Sequence, residues 1–125
     1  MLITMEEKSE SPAAVAVYRP ALRKIDVLNS VAFHAALLSA MEGKSRLVLD
    51  LSEVQFVDSS GLGKIIAGLR AIREKGGEMR LCGVQAPVKV LFSMVRLGEI
   101  VGIDPDVPSA TALLSTSSPG AGSAR

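Results

Sequence analysis

The fold of this chain is decided by residues 46–82, which read RLVLDLSEVQFVDSSGLGKIIAGLRAIREKGGEMRLC. Residues 46–51 and 79–82 are compact runs of β-favouring side chains, so each predicts a strand. Between them, apolar side chains recur at helical spacing up to the glycine pair at 76–77, which predicts an amphipathic helix. These apolar residues are Leu62, Ile65, Ile66, Leu69 and Ile72. A strand, a helix and a strand in this order indicate a βαβ unit with parallel strands.

The sequence before this unit continues the alternation of strands and helices. Residues 2–4 and 13–18 each predict a strand. A helix is predicted to begin at Asn29 or Ser30, either of which suits an N-cap, and to end before Gly43. Its apolar side chains at helical spacing are expected to be buried, and they are Val31, Ala35, Leu38 and Met41.

The sequence after the unit predicts a helix, a strand and a second helix. Pro87 suits the first turn of a helix, because its missing N–H costs nothing there. The side chains of this helix that we expect in the core are Val88, Leu91, Phe92 and Val95. Ile100 and Val101 predict a last short strand, and residues 109–114 predict a final helix.

The composition is that of a single globular domain. The chain has 125 residues, of which 48% are hydrophobic and 22% charged. We assign the domain to residues 1–114. We expect a disordered tail at residues 115–125, because its small and polar side chains bury too little apolar surface to offset the entropy of ordering. The predicted fold class is α/β, a mixed and mostly parallel sheet of about four to five strands with helices packed on it.

The charge balance argues against a nucleic-acid partner, and the hydropathy pattern argues against a membrane. Lys and Arg total 14, Asp and Glu total 13, and the net charge is +1, so no field of one sign is available to hold phosphate backbones. No apolar run is long enough to span a bilayer. Residues 1–11 lack the basic and then apolar pattern of a signal peptide. We therefore expect a cytoplasmic protein.

The sequence predicts no catalytic, metal or cofactor site. Cys82 and His34 are the only Cys and His and lie far apart in sequence, so they do not make a metal site. Cys82, in a predicted strand, is expected to be a small core residue. Ser59 has no histidine near it in sequence, and residues 61–64 are too short for a phosphate-binding P-loop. We expect a protein that is not an enzyme.

Residues 58–61, Asp-Ser-Ser-Gly, are expected where a strand runs out and a helix begins, the edge at which functional loops of parallel sheets gather. Free backbone N–H groups and the helix dipole favour an anion there. A phosphate would add about −1.5 to −2 charges beside Asp58 and change the surface. Gly61 and Gly63 would let a partner approach the backbone closely. The same pattern also suits an ordinary helix start capped by Ser59 or Ser60.

The run DSSGLG at residues 58–63 resembles the phosphorylation motif of bacterial anti-anti-sigma factors, which belong to the STAS domain family. Residues 25–30, IDVLNS, are similar to the family's first loop. Residues 76–82, GGEMRLC, resemble its turn and strand, and residues 87–92, PVKVLF, resemble its third helix. The resemblance covers roughly residues 15–114 and implies a single STAS domain.

The resemblance also implies an anti-sigma factor antagonist. In that family the serine directly after the aspartate is phosphorylated, which here is Ser59. The unphosphorylated antagonist binds an anti-sigma factor serine kinase with a histidine-kinase-like ATPase fold and releases its sigma factor. Phosphorylation breaks the contact and a PP2C-type phosphatase restores it, with the antagonist a monomer or weak dimer. The residues expected on the partner surface are Asp26, Asn29, Asp58, Ser60, Gly61, Leu62 and Gly63.

The sequence departs from the family pattern at one position of the first loop, and it leaves open the role of Asp26 and the function of the domain. Arg23 stands where the family usually has a glycine before the Ile25-Asp26 pair, which puts the identity of the kinase in question. Asp26 suits either the partner surface or a position that simply precedes a helix. The alternative functions are a STAS accessory subunit of a transport or signalling complex and a nucleotide-binding STAS domain. A permanent complex with a permease or ATPase subunit would indicate the first, and nucleotide turnover the second.

Overall fold

Strands and helices alternate along the protein, whose computed structural model describes residues 15–115. The strands are β1 Ala16–Tyr18, β2 Lys24–Ile25, β3 Arg46–Asp50, β4 Phe56–Val57, β5 Glu78–Cys82 and β6 Gly102–Asp104. The helices are α1 Ser30–Ala40, α2 Ser59–Glu74, α3 Ala86–Met94 and α4 Val107–Ser115, with a 3₁₀ turn at Leu97–Glu99. The strand predicted at residues 2–4 lies outside the described residues. So does the tail predicted at residues 115–125, except for Ser115, which is the last residue of α4.

The main sheet has four strands in the order β1-β3-β5-β6, and every neighbouring pair is parallel. Leu49 of β3 lies opposite Tyr18 of β1 and Leu81 of β5. A second, two-stranded parallel sheet joins β2 to β4, with Ile25 opposite Val57. The prediction of an α/β fold with a mostly parallel sheet is confirmed.

The two faces of the main sheet are covered unequally. Leu47, Leu49, Met79 and Leu81 point to one face, where α1, α2 and α3 complete the main core. Side chains alternate along a strand, so Val48 and Cys82 point to the other face. There α4 covers them with Ala110 and Leu114. Cys82 is a buried core residue, as predicted.

Helix α2 follows its sequence pattern. Ile65, Leu69 and Ile72 are buried, and the partly buried Leu62 and Ile66 pack against the same core. The chain turns after the helix at Gly76, whose φ of +83° lies in the left-handed region that favours glycine. The predicted stop signal and buried face of this helix are confirmed, whereas the helix begins at Ser59, three residues before the first apolar residue of its pattern.

The predicted buried face of α1 is wrong except at Met41. The side chains in the core are Ser30, Phe33 and Leu37, whereas Val31 and Leu38 are 72% and 36% exposed. Helix α1 is apolar on almost every side, so periodicity alone does not select a face. Packing against α2 selects it, because Gly68 leaves room for Leu37, whose Cγ would lie only 3.1 Å from a Cβ at that glycine.

The last predicted strand is also misplaced. Instead of pairing at Ile100 and Val101, the chain makes its 3₁₀ turn and pairs with β5 only from Gly102. Gly102 lies opposite Arg80, whose guanidinium occupies the space that a Cβ would need. Val95 lies directly after the last residue of α3 and is 46% exposed. The prediction that Val95 is buried is therefore wrong.

Candidate functional site

The start of α2 is built by the side chain of Asp58. Its backbone is extended, with φ −99° and ψ −174°, and its Oδ1 accepts a hydrogen bond of 2.9 Å from the backbone N–H of Gly61. This is the geometry of an N-cap. The alternative that Ser59 or Ser60 caps the helix is therefore wrong. Ser59 is the first helical residue and is exposed, and Ser60 is partly buried.

The second oxygen of Asp58 reaches a different segment of the chain. Oδ2 accepts a hydrogen bond of 3.1 Å from the backbone N–H of Val27, which precedes α1. The backbone N–H of Asp58 donates to the carbonyl of Ile25 across 3.2 Å. The loop between β2 and α1 is therefore attached to the loop that contains Ser59.

Residues 26–29 form a loop that its own polar side chains hold in place. The side chain of Asn29 accepts from the backbone N–H of Asp26 at 2.9 Å and donates to the carbonyl of Lys24 at 2.8 Å. Oδ1 of Asp26 accepts from the backbone N–H of Leu28 at 3.0 Å. Asp26 and Asn29 thus shape this loop, whichever partner it meets.

The same loop displays apolar side chains to solvent. Val27 is 67% exposed, Leu28 is 91% exposed and Val31, in the first turn of α1, is 72% exposed. We call these three residues the apolar rim. The apolar periodicity of the sequence does not predict this rim. A signal for it is nevertheless present, since Val27 and Leu28 stand between a strand and a helix cap, where apolar side chains are not needed for the core. Contiguous exposed apolar side chains indicate a contact surface.

The two glycines of the motif have different surroundings. Gly61 is buried against Ile25, so that a Cβ there would meet the carbonyl oxygen of Ile25 and lie 2.9 Å from its Cγ2. The fold itself therefore requires a glycine at position 61. The sequence had instead suggested that this glycine lets a partner approach the backbone. Gly63 is exposed and a Cβ there would have nothing within 4 Å. Leu62, between them, packs against the main core.

A row of polar groups crosses the carboxyl ends of the central strands on the α4 side. Asp50, Cys82 and Asp104 lie opposite one another in register. Asp50 accepts a hydrogen bond from Arg19 at 2.8 Å, and Asp104 accepts one from Arg80 at 2.6 Å. Burial, reinforced by the charges of Asp50 and Asp104, raises the pKa of Cys82 to about 12. The thiol is thus held in its protonated, unreactive form.

Within residues 15–115, no cluster of His, Cys, Asp and Glu has the arrangement that a metal ion needs. None of the helices in that range combines the length and the apolar composition that crossing a membrane requires.

Comparison with known proteins assigns this chain to a family. The model of the STAS domain family matches residues 10–110. An anti-sigma F factor antagonist of Paenibacillus polymyxa is 46% identical over 68 residues, which make up 54% of this chain and 58% of that protein. An anti-sigma-B factor antagonist of Listeria monocytogenes is 33% identical over 57 residues, 46% of this chain and 50% of that protein. The chain spans about half the length of these curated relatives.

A solved structure agrees with the fold. The anti-sigma-factor antagonist (STAS) domain protein of Planctomyces limnophilus is similar with a TM-score of 0.74 and 23% identity. The likeness covers 83% of this chain and 93% of that one. At this level of identity, the likeness shows the fold alone.

Proposed function

Since this chain belongs to the STAS domain family, we propose that it acts as an anti-sigma factor antagonist that is switched by phosphorylation of Ser59. Unphosphorylated, it binds an anti-sigma factor serine kinase, and the kinase releases its sigma factor. Phosphorylation ends this contact, and a PP2C-type phosphatase renews it. The protein is in this proposal a binding module and a kinase substrate rather than an enzyme, and it works in the cytoplasm with its partners.

The proposal rests on the different roles of two neighbouring side chains, Asp58 and Ser59. Asp58 caps α2 with one oxygen and holds Val27 with the other. The hydroxyl of Ser59 is therefore not needed as the N-cap, and the residue is exposed. A kinase could phosphorylate this hydroxyl without removing the cap.

The position of Ser59 also suits a phosphate. It lies at the N-terminus of a long helix, where unpaired N–H groups and the helix dipole stabilise an anion. The phosphate would therefore leave the fold intact. It would add about −1.5 to −2 charges to the surface, and that charge would have to be desolvated in any complex that covers it.

The apolar rim gives the partner a place to dock. The bond between Val27 and Asp58 keeps the rim beside the phosphorylation loop. A partner that covers Val27 and Leu28 would therefore also approach Ser59. The relatives named as antagonists of anti-sigma F and anti-sigma-B factors support the proposed class of partner.

The direct test is to map the modified residue. The full chain is incubated with its cognate kinase and ATP, and the phosphate is located by mass spectrometry. We expect it on Ser59, with no incorporation in Ser59→Ala and normal incorporation in Ser93→Ala, which removes an exposed hydroxyl on α3. Phosphate on Ser60 alone would show that the modified position was misassigned.

A further inference from the structure

A shallow recess lies on the outer side of the two-stranded sheet and is lined by Arg23, Lys24, Gln55 and Phe56. Lys24 lies directly opposite Phe56 in the parallel register, and both are exposed. The next pair, Ile25 and Val57, is buried. Because side chains alternate along a strand, Lys24 and Phe56 both point away from the core.

The backbone beneath the recess is held in place by hydrogen bonds. The carbonyl of Arg23 accepts from the backbone N–H of Gln55 at 2.6 Å and from that of Phe56 at 3.2 Å. Phe56 is nevertheless 51% exposed. An aromatic ring on a fixed backbone loses little conformational entropy on binding, which makes it suitable as an anchor for a partner.

Both charged side chains that line the recess, Arg23 and Lys24, are cations. Within residues 15–115, Arg23 and Lys24 form no salt bridge, whereas Arg19, Arg73 and Arg80 each pair with a carboxylate. Carboxylates also lie nearby along the chain, at Asp26, Glu53 and Asp58. Asp26 and Asp58 keep their charge while they accept backbone hydrogen bonds, but none of the three carboxylates lines the recess. Two cations thus flank an exposed ring, three residues before Ser59.

We propose that this recess binds an acidic segment of the partner kinase, with one apolar side chain of that segment packed on Phe56. The inference rests on the proposed function, since it concerns the same partner. Arg23 and Lys24 attract carboxylates and guide the encounter, while Phe56 supplies apolar contact area. The recess therefore contributes to the choice of partner independently of the phosphorylation state of Ser59.

The test uses the kinase that the full chain retains from its native cell, identified by mass spectrometry and then purified. Its association is measured by surface plasmon resonance at low and high salt for Arg23→Glu, Lys24→Glu and Arg70→Glu. The last variant makes the same change of charge at an exposed residue near the far end of α2. We expect association at low salt to slow roughly tenfold for Arg23→Glu and Lys24→Glu, with a weaker salt dependence, and to change little for Arg70→Glu.

The apolar contact is tested with Phe56→Ala, which we expect to speed dissociation, since apolar contacts act mainly on that rate. Melting curves of all variants check that the fold is kept. A synthetic glutamate-rich peptide with one central leucine should compete with the kinase, and a lysine-rich counterpart should not. Competition by inorganic phosphate as strong as that of the acidic peptide would show a small-anion site and overturn the proposal.

The outcomes separate this inference from the proposed function. If Arg23→Glu, Lys24→Glu and Arg70→Glu all associate with the kinase at the same rate, the proposal that the recess binds the kinase is wrong. This holds even where Ser59→Asp binds the kinase weakly. Slowed association confined to Arg23→Glu and Lys24→Glu supports the recess, and equal binding of Ser59→Asp and wild type then contradicts only the switch. A wild-type chain that binds no kinase overturns both.

Discussion

The backbone N–H of Val27 donates a hydrogen bond of 3.1 Å to Oδ2 of Asp58, a residue 31 positions further along the chain. The carboxylate that receives it also caps α2. One side chain therefore sets the position of the apolar rim relative to the hydroxyl of Ser59. This link explains how a charge added at Ser59 could affect a docking surface built from another segment.

Replacing Asp58 tests this link. Asp58→Ala removes both hydrogen bonds, and we expect it to lower the free energy of unfolding by about 1–2 kcal/mol through loss of the cap. Kinase binding should fall as well, because the rim loses its attachment. Asp58→Asn is the matched control, since Asn caps helices about as well as Asp but has only one acceptor oxygen. Stability from denaturant unfolding should recover in Asp58→Asn, while affinity from calorimetry should not. Unchanged affinity in both variants would mean that the rim needs no attachment to this loop.

Substitutions at Ser59 test the switch. Ser59→Ala should fold normally, with stability within about 0.5 kcal/mol of wild type, because the exposed hydroxyl is not the cap. It should bind the kinase constitutively. Ser59→Asp should bind more weakly, but by less than the phosphoprotein, since Asp has a smaller charge and a shorter reach.

Titration calorimetry of wild type, Ser59→Ala and Ser59→Asp against the kinase measures these affinities. Melting temperatures serve as the control for folding. The same affinity for all three proteins, with unchanged melting temperatures, would mean that Ser59 is an ordinary surface residue and that the switch is absent.

The two glycines of the motif form a natural pair of comparisons. Gly61→Ala places a methyl group against Ile25 and should lower the free energy of unfolding by roughly 1–3 kcal/mol. Gly63→Ala has open space and a helical backbone, so it should raise stability by up to about 1 kcal/mol. If the partner approaches the backbone at Gly63, this more stable variant will bind the kinase less well. A stable Gly61→Ala protein would contradict the close contact with Ile25.

The pair Arg19 and Asp50 predicts a dependence of stability on pH. Burial by itself raises the pKa of Asp50, but hydrogen bonds from Arg19 and Ser52 together lower it below its usual value. The carboxylate is then more acidic in the folded than in the unfolded protein. Its contribution to stability is therefore present above the unfolded pKa of about 3.9 and is lost as the pH falls through the folded pKa.

Arg19→Met removes the main partner and should move the midpoint of acid unfolding to higher pH. Circular dichroism recorded against pH measures this midpoint. Arg70→Met, which removes an exposed arginine from α2, should leave it in place. The same midpoint for Arg19→Met and wild type would mean that the ion pair does not protect the fold against acid.

The thiol of Cys82 should be inert in the folded protein. Burial and the carboxylates of Asp50 and Asp104 raise its pKa to about 12, far above the ordinary value of about 8.5. Only the thiolate reacts with alkylating reagents. At pH 8 we expect no labelling by iodoacetamide in the native state and full labelling in denaturant, as measured by mass spectrometry. Rapid labelling of the native protein would show that this strand end opens to solvent.

Elements with local signals were predictable from the amino-acid sequence. The apolar period from Leu62 to Ile72 predicts the buried face of α2, because a charged opposite side leaves only one way to pack it. The turn after it needs the left-handed backbone of Gly76. The run at residues 58–61 placed Ser59 at a helix start, and the resemblance of that run to a known motif indicated phosphorylation.

The tertiary structure alone decided the features that depend on contacts between distant segments. Helix α1 is apolar on several sides, and its buried face was selected by the space beside Gly68. Asp, Ser and Ser are all good caps, and Asp58 took the role because its backbone is extended there and its second oxygen also reaches Val27. Arg23 and Phe56 became neighbours only when β2 paired with β4. Local patterns record which side chains are apolar or charged, but not which partner a fold brings to each of them, because that depends on packing over the whole chain.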